Sequence, residues 1–429
     1  MVSDGGSRNG AQVDERTRLL ESSQSIETDD STWKDLKPYI RPLVAANFIA
    51  LTAGVNDGNL GIIIPQLKVY YGISNSAISI LFLCNAVGFF LAAIFNGYLV
   101  HKMGQLRTIY TGATVITIAY LIMIQGLAFP IFALCMMIQG AGVGLMDAAV
   151  NVYVASAPMA TLMLNVLHAN YGVGAMLSPL VGTFLLAHDI SWKGIYVFLL
   201  GVALVNFILV TFGFRNVDLD APTTDEAATD DHDGSILRRN AVFNRMTLLG
   251  AVYILTYAGV EVCVGGWGYT YLTEGMHGNP IDMGRVISGY WAGLAIGRLV
   301  LGWCTGRFGE KRMVSLFTIT TAILLLLVYL VPNLWMDSIF IILVGFLIGP
   351  LFPSTISLAS KVLPKSMHYT AIGFMSAFGA GGAAFFPFLA GQIAGFLGIL
   401  YMPLTWFSCA VVMQVIWTFI PNGRRKMEF

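Results

Sequence analysis

Apolar runs of about twenty residues or more recur along the chain, at about 43 to 67, 76 to 100, 108 to 127, 131 to 154, 165 to 187 and 193 to 214. Six more follow, at about 246 to 272, 283 to 305, 313 to 332, 335 to 358, 370 to 396 and 399 to 420. A helix needs about 20 mostly apolar residues to cross a hydrocarbon core of roughly 30 Å. The pattern therefore predicts an all-α integral membrane protein with twelve spans in two six-helix bundles. Residues 1–32 are rich in Ser, Asp, Glu, Thr and Gly and hold too little apolar surface to offset the entropy of ordering. Between the sixth and seventh runs the chain turns polar, with Asp218, Asp220, Asp225, Glu226, Asp230, Asp231 and Asp233 ahead of Arg238 and Arg239. The expected organisation is a disordered tail at 1–40, a bundle at 41–214, a linker at 215–245, a bundle at 246–420 and a short tail at 421–429.

Composition sharpens this picture. Only 11% of residues are charged and 56% are hydrophobic, whereas soluble domains carry about 25% charge. The formal net charge of zero gives no reason to expect a nucleic-acid partner. The cysteines, Cys84, Cys135, Cys263, Cys304 and Cys409, fall inside apolar runs without metal-ligand spacing, so buried thiols are expected and neither metal nor cofactor. No short apolar run with a cleavage site marks a removable signal peptide. Basic residues are retained on the cytoplasmic side. Of the 24, Arg298 lies within a helix, Lys68, Lys193 and Arg285 fall opposite the termini, and 20 fall on the terminal side. Both termini are expected in the cytoplasm. Glu15, Leu19 and Leu20 in the tail fit an acidic dileucine sorting pattern, which suggests an adaptor partner and leaves open a plasma, vacuolar or endosomal membrane.

The two halves match at a constant offset. A shift of 205 places Ala53-Gly54-Val55-Asn56 on Ala258-Gly259-Val260-Glu261, Gly97 on Gly302, Gly104 on Gly309 and Arg107 on Arg312. The same shift places Gly140 and Gly144 on Gly345 and Gly349, where small residues would permit close helix approach. Parallel six-helix halves predict a site at their interface near the midplane.

The run from Gly97 to Arg107 resembles the loop motif G-x-L-x-D-x-x-G-R-K/R of the major facilitator superfamily, and Gly302 to Arg312 is its degenerate second copy. His101 stands where the family usually has Asp, which puts that charge relay in doubt on this side. The resemblance implies gating roles for Gly97, Gly104, Arg107, Gly302, Arg307, Gly309 and Arg312. A narrower similarity, to the fucose permease-like branch, rests on Gly142 to Asn151, on Asn56-Asp57 with Ile64-Pro65-Gln66-Leu67, and on Leu167 to Gly174 with His168 in place of an amide. That branch implies sugar binding and proton coupling, and the long acidic linker looks like its fungal members.

Ionisable groups inside a membrane are functional candidates by default. Asp147 lies roughly 12 Å deep in the fourth helix with Asn151 at i+4 on the same face. Asp57 sits between Gly54 and Gly58, where local unwinding would expose backbone to a polar ligand. Glu261 occupies the matching place in the seventh helix, as a proton carrier or as the partner of Arg298, which itself would gate or snorkel. His168 is either a proton shuttle or a packing residue. Asn170, Tyr171 and Trp267 complete the expected substrate site with Asn56, Asp57, Asp147 and Asn151; Asp147, Glu261 and His168 are the expected proton-coupling groups.

The expected activity is secondary active transport of a sugar-like solute or organic acid by alternating access, coupled to protons, in a monomer. A facilitator, a proton-driven exporter and a nutrient sensor remain alternatives. Neither a GxxxxGK[ST] loop nor an enzyme-like catalytic set is present in the sequence.

Overall fold

The computed structural model describes residues 35–155, 157–215, 217, 239–364 and 367–422. The tail with Glu15, Leu19 and Leu20, most of the linker, and the last residues lie outside them. The twelve apolar runs are helices: α1 (Ile40–Tyr71), α2 (Ile80–Met103, after a turn at Asn75–Ile78), α3 (Gln105–Ile124), α4 (Phe129–Ala155), α5 (Ala160–Ala187) and α6 (Lys193–Gly213). The second set is α7 (Arg245–Thr270, continuing as a wider turn at Tyr271–Gly275), α8 (Pro280–Phe308), α9 (Glu310–Leu330), α10 (Leu334–Val362), α11 (His368–Phe396) and α12 (Met402–Phe419). Among the described residues α10 is interrupted at Gly349-Pro350, between Leu334–Ile348 and Leu351–Val362, where Pro350 has no N–H to give the ladder, whereas Pro65, Pro179 and Pro387 are carried inside α1, α5 and α11. All twelve are long and apolar enough to span a membrane, where only structures that satisfy their own backbone survive.

The most buried helices of the bundle are α1, α4, α7 and α10, one pair from each half at equivalent places in the repeat. The outer faces carry exposed apolar residues such as Phe95, Phe212, Leu330 and Phe396, as expected when the solvent is lipid.

Glycines pack both halves in the same way. In α2 and α4, Gly140 approaches the carbonyl of Asn85, and Gly144 approaches Phe89. At the positions 205 residues on, Gly345 meets the carbonyl of Tyr290 and Gly349 that of Leu294, across α8 and α10. The repeat seen in the sequence is thus a repeat of helix crossings. Gly104 (φ 87°) and Gly309 (φ 94°) form the one-residue turns after α2 and α8, a conformation other residues rarely adopt.

One expectation is corrected here. Gly54 and Gly58 do not unwind α1, which runs unbroken through Asp57. They let α1 touch α5: a side chain at Gly54 would strike the Tyr171 carbonyl, and one at Gly58 the Ala175 backbone.

The halves meet through α1 with α7, α2 with α11, and α5 with α8. Their cross-links sit at the face away from the termini, here called distal. Lys68 at the end of α1 pairs with Glu274 after α7 at 2.6 Å. Gln392 of α11 donates to the Ser76 carbonyl and the Ser79 hydroxyl, both at 3.0 Å. Gly61 lies so close to α7 that a Cβ would be 2.6 Å from the Gly265 oxygen. Gly97 and Gly302, near the terminal face, have open space where a Cβ would point. These hydrogen bonds and the ion pair between the two halves, among the described residues, therefore gather at the distal face.

Candidate functional site

Helices α1, α3 and α5 bring a relay of polar groups to the centre of the first half. The Tyr120 hydroxyl donates to Asn56 Oδ1 at 2.8 Å, Asn56 Nδ2 donates to Asp57 Oδ1 at 3.1 Å, and the Tyr171 hydroxyl donates to Asp57 Oδ2 at 2.8 Å. Asn56 is buried, whereas Asp57 is exposed although it lies roughly 25 Å along the helix from Ile40. A side chain that is both central and exposed borders accessible space between the helices. Asp147 of α4 is half-buried and accepts from Asn151 Nδ2 at 3.0 Å, so the i+4 geometry joins the two. His168 is exposed toward the terminal end of α5. Asn170 Nδ2 is already used, on Asn47 Oδ1 and the Val166 carbonyl, both at 2.9 Å.

In the second half Glu261 of α7 and Arg298 of α8 form an ion pair at 3.0 Å with little exposure of either side chain. In this conformation the Arg298 guanidinium is held by a carboxylate on the adjacent helix. The Tyr290 hydroxyl donates to the Glu261 carbonyl oxygen at 2.8 Å. The Tyr257 hydroxyl lies beside the pair. Burial of both charges costs several kcal/mol of desolvation, about what close pairing returns.

These groups converge. Asp57 lies within electrostatic reach of both Asp147 and Glu261, and Tyr171 and His168 lie within reach of Arg298. The centre therefore holds three carboxylates and one guanidinium. Trp267 is placed elsewhere: fully buried, it donates its indole N–H to the Pro387 carbonyl at 2.9 Å and packs on Phe82, within the distal seal. Arg107, Arg307 and Arg312 are exposed at the terminal face, with Arg307 over the Trp303 ring. No group of three or more His, Cys, Asp or Glu side chains suited to a metal occurs among the described residues.

Three contacts near the site and at the distal face are not evident from the sequence. Tyr120 supports the Asn56–Asp57 pair from 64 residues away. Lys68 and Glu274, separated by 206 positions, latch the distal face. Fully buried Asp337 of α10 accepts from the Tyr271 hydroxyl at 3.0 Å, tying the distal ends of α7 and α10. Only the chemical types of the paired residues could have hinted at these contacts.

Comparison with known proteins agrees with this architecture. The chain is 27% identical over 424 residues to Bypass of stop codon protein 6 of Saccharomyces cerevisiae, covering 89% of this chain and 83% of that one. It is 22% identical over 356 residues to a glucose/galactose transporter of Brucella abortus, covering 79% and 84%. The structure of FucP in the outward conformation superposes with a TM-score of 0.63 at 17% identity, covering 90% of this chain and 99% of that one, so the fucose permease-like resemblance extends to the fold. The Major Facilitator Superfamily model matches residues 46–277 and 249–428. With its duplicated six-helix halves, the loop motif and an acidic centre between them, this transporter of small solutes, not an enzyme, belongs to the Major Facilitator Superfamily.

Proposed function

We propose that the chain is a secondary active transporter that carries a neutral, polyhydroxylated, sugar-like solute together with protons. The observation that carries this reading is the charge balance of the central site, three carboxylates against one guanidinium. An anionic substrate would be repelled by that field, which weighs against the organic-acid alternative. A sugar offers hydroxyls that donate to Asp57 and Asp147, whose carboxylates keep acceptor capacity beyond the donors they already hold, and to the Asn151 and Tyr171 oxygens, and the glucose/galactose transporter among the relatives supports the same class.

Coupling follows from which carboxylate lacks compensation. Glu261 is paired with Arg298, and Asp57 accepts two side-chain hydrogen bonds. Asp147 has one side-chain donor, Asn151, and is the first-choice proton acceptor, with His168 at about the same depth on α5, each eight residues from the helix ends at Ala155 and Ala160. Glu261 joins the coupling when substrate or proton binding releases Arg298. The basic-residue bias puts the terminal face in the cytoplasm, which makes this conformation inward-open; the opposite state then needs close approach at the terminal face, where Gly97, Gly302 and Gly309 leave room.

The test is uptake into proteoliposomes with an imposed pH gradient, using radiolabelled hexoses, organic acids and cationic drugs. Hexose accumulation that collapses with a protonophore is expected. Asp147→Asn should abolish accumulation yet preserve exchange of labelled for unlabelled solute. Wild-type accumulation in this variant refutes the coupling assignment. Binding without flux in the parent protein would instead indicate a sensor.

A further inference from the structure

Outside the central site, a cavity of about 330 Å³ opens on the periphery of the second half, between the distal parts of α11 and α12, with α7 as its floor. The two wall helices touch each other little, and both rest on α7. The lining is almost wholly apolar. Its hydroxyls are spent on their own helix: Thr405 donates to the Met402 carbonyl at 2.6 Å and Ser408 to the Leu404 carbonyl at 2.8 Å. Water would find no partners there, and an empty cleft would forfeit the dispersion contacts of its walls.

The dimensions point to the occupant. From Leu397 to Phe386 the α11 wall is about 16 Å long, close to one leaflet of a hydrocarbon core of roughly 30 Å. At the distal mouth Tyr401 pairs with Tyr329, ring centroids 6.4 Å apart, as aromatic residues do at headgroup level. Leu389, Leu397 and Tyr401 are exposed along the opening, so the cavity faces the bilayer rather than the transport path. We propose that this groove binds one acyl chain of a phospholipid from the distal leaflet. Its floor residues Gly259 and Cys263 stand two positions to either side of Glu261, about 200° around α7, so a bound chain backs the helix face opposite the ion pair.

The full-length chain reconstituted in phosphatidylcholine with a photoreactive diazirine at mid-chain provides the test. Adducts mapped by mass spectrometry are expected to concentrate on residues 386–409, to be competed by excess unlabelled phosphatidylcholine, and to be lost in Ala390→Trp and Leu404→Trp, which fill the groove from either wall. Adducts elsewhere should be unchanged. Even labelling of lipid-facing positions such as Phe95 and Phe212 in the unsubstituted protein overturns the proposal, and needs no variant to fold. So does retention of groove adducts in both filled variants, or displacement by a sterol but not by phosphatidylcholine.

Discussion

The Lys68–Glu274 pair exists only while the distal face is closed, so breaking it should shift the conformational equilibrium rather than the chemistry of the site. The nitrogen and oxygen are 2.6 Å apart, and the side chains are 15% and 35% exposed. That places the pair between an exposed ion pair, worth about 0–1 kcal/mol, and a well-formed charged hydrogen bond, worth about 1.5–3. An intermediate value of about 1–2 kcal/mol corresponds to roughly a 5- to 30-fold change in the ratio of closed to open molecules. Thr183→Cys supplies a probe: Thr183 is buried and packs against Gly284 across the α5–α8 seam. In a chain whose native cysteines are replaced by serine, a membrane-impermeant maleimide added from the distal side should label this cysteine slowly. Lys68→Ala or Glu274→Gln should speed labelling by roughly the same 5- to 30-fold factor, and the exchanged pair Lys68→Glu with Glu274→Lys should restore the slow rate. Unchanged labelling in both single variants, against a slow parent, would refute the latch.

Arg298→Met leaves the Glu261 carboxylate buried without its cation and should cost about 3–5 kcal/mol, read as a lower unfolding temperature of the purified protein. The double variant with Glu261→Gln should recover most of that loss; equal losses in the two would argue against a paired role. Gly54→Val forces a side chain into the Tyr171 carbonyl and should abolish assembly of monodisperse protein in size-exclusion chromatography. Tyr171→Phe removes one donor from Asp57 and should weaken solute binding by about 1.5–3 kcal/mol, measured by equilibrium binding, with folding intact.

How much of this was legible beforehand depends on which physical constraint acted. Lipid leaves a spanning segment no choice but to satisfy its own backbone, so apolar run length sufficed to locate twelve helices. Their ends extend beyond the apolar runs, as where α1 reaches Tyr71 rather than 67, because polar residues at the rim still continue the helical ladder. Gly140 with Gly144 and Gly345 with Gly349 were readable as close crossings because the repeat presents the same spacing twice. The i+4 contact of Asp147 with Asn151 was readable because it is local to one helix.

Contacts between helices were a different matter. Gly54 and Gly58 suit a helix break as well as a close crossing, and only the position of α5 decides for the crossing. Arg298 had several open roles until α8 set it 3.0 Å from Glu261. Trp267 belongs to the distal seal because α11 offers it the Pro387 carbonyl. Sequence alone determined the solvent, the number of spans, the duplication and most of the unusual charges within the membrane, though not buried Asp337. Tertiary structure decided which of those charges are compensated and which face is closed, because pairing depends on distances between helices that no spacing along one chain encodes.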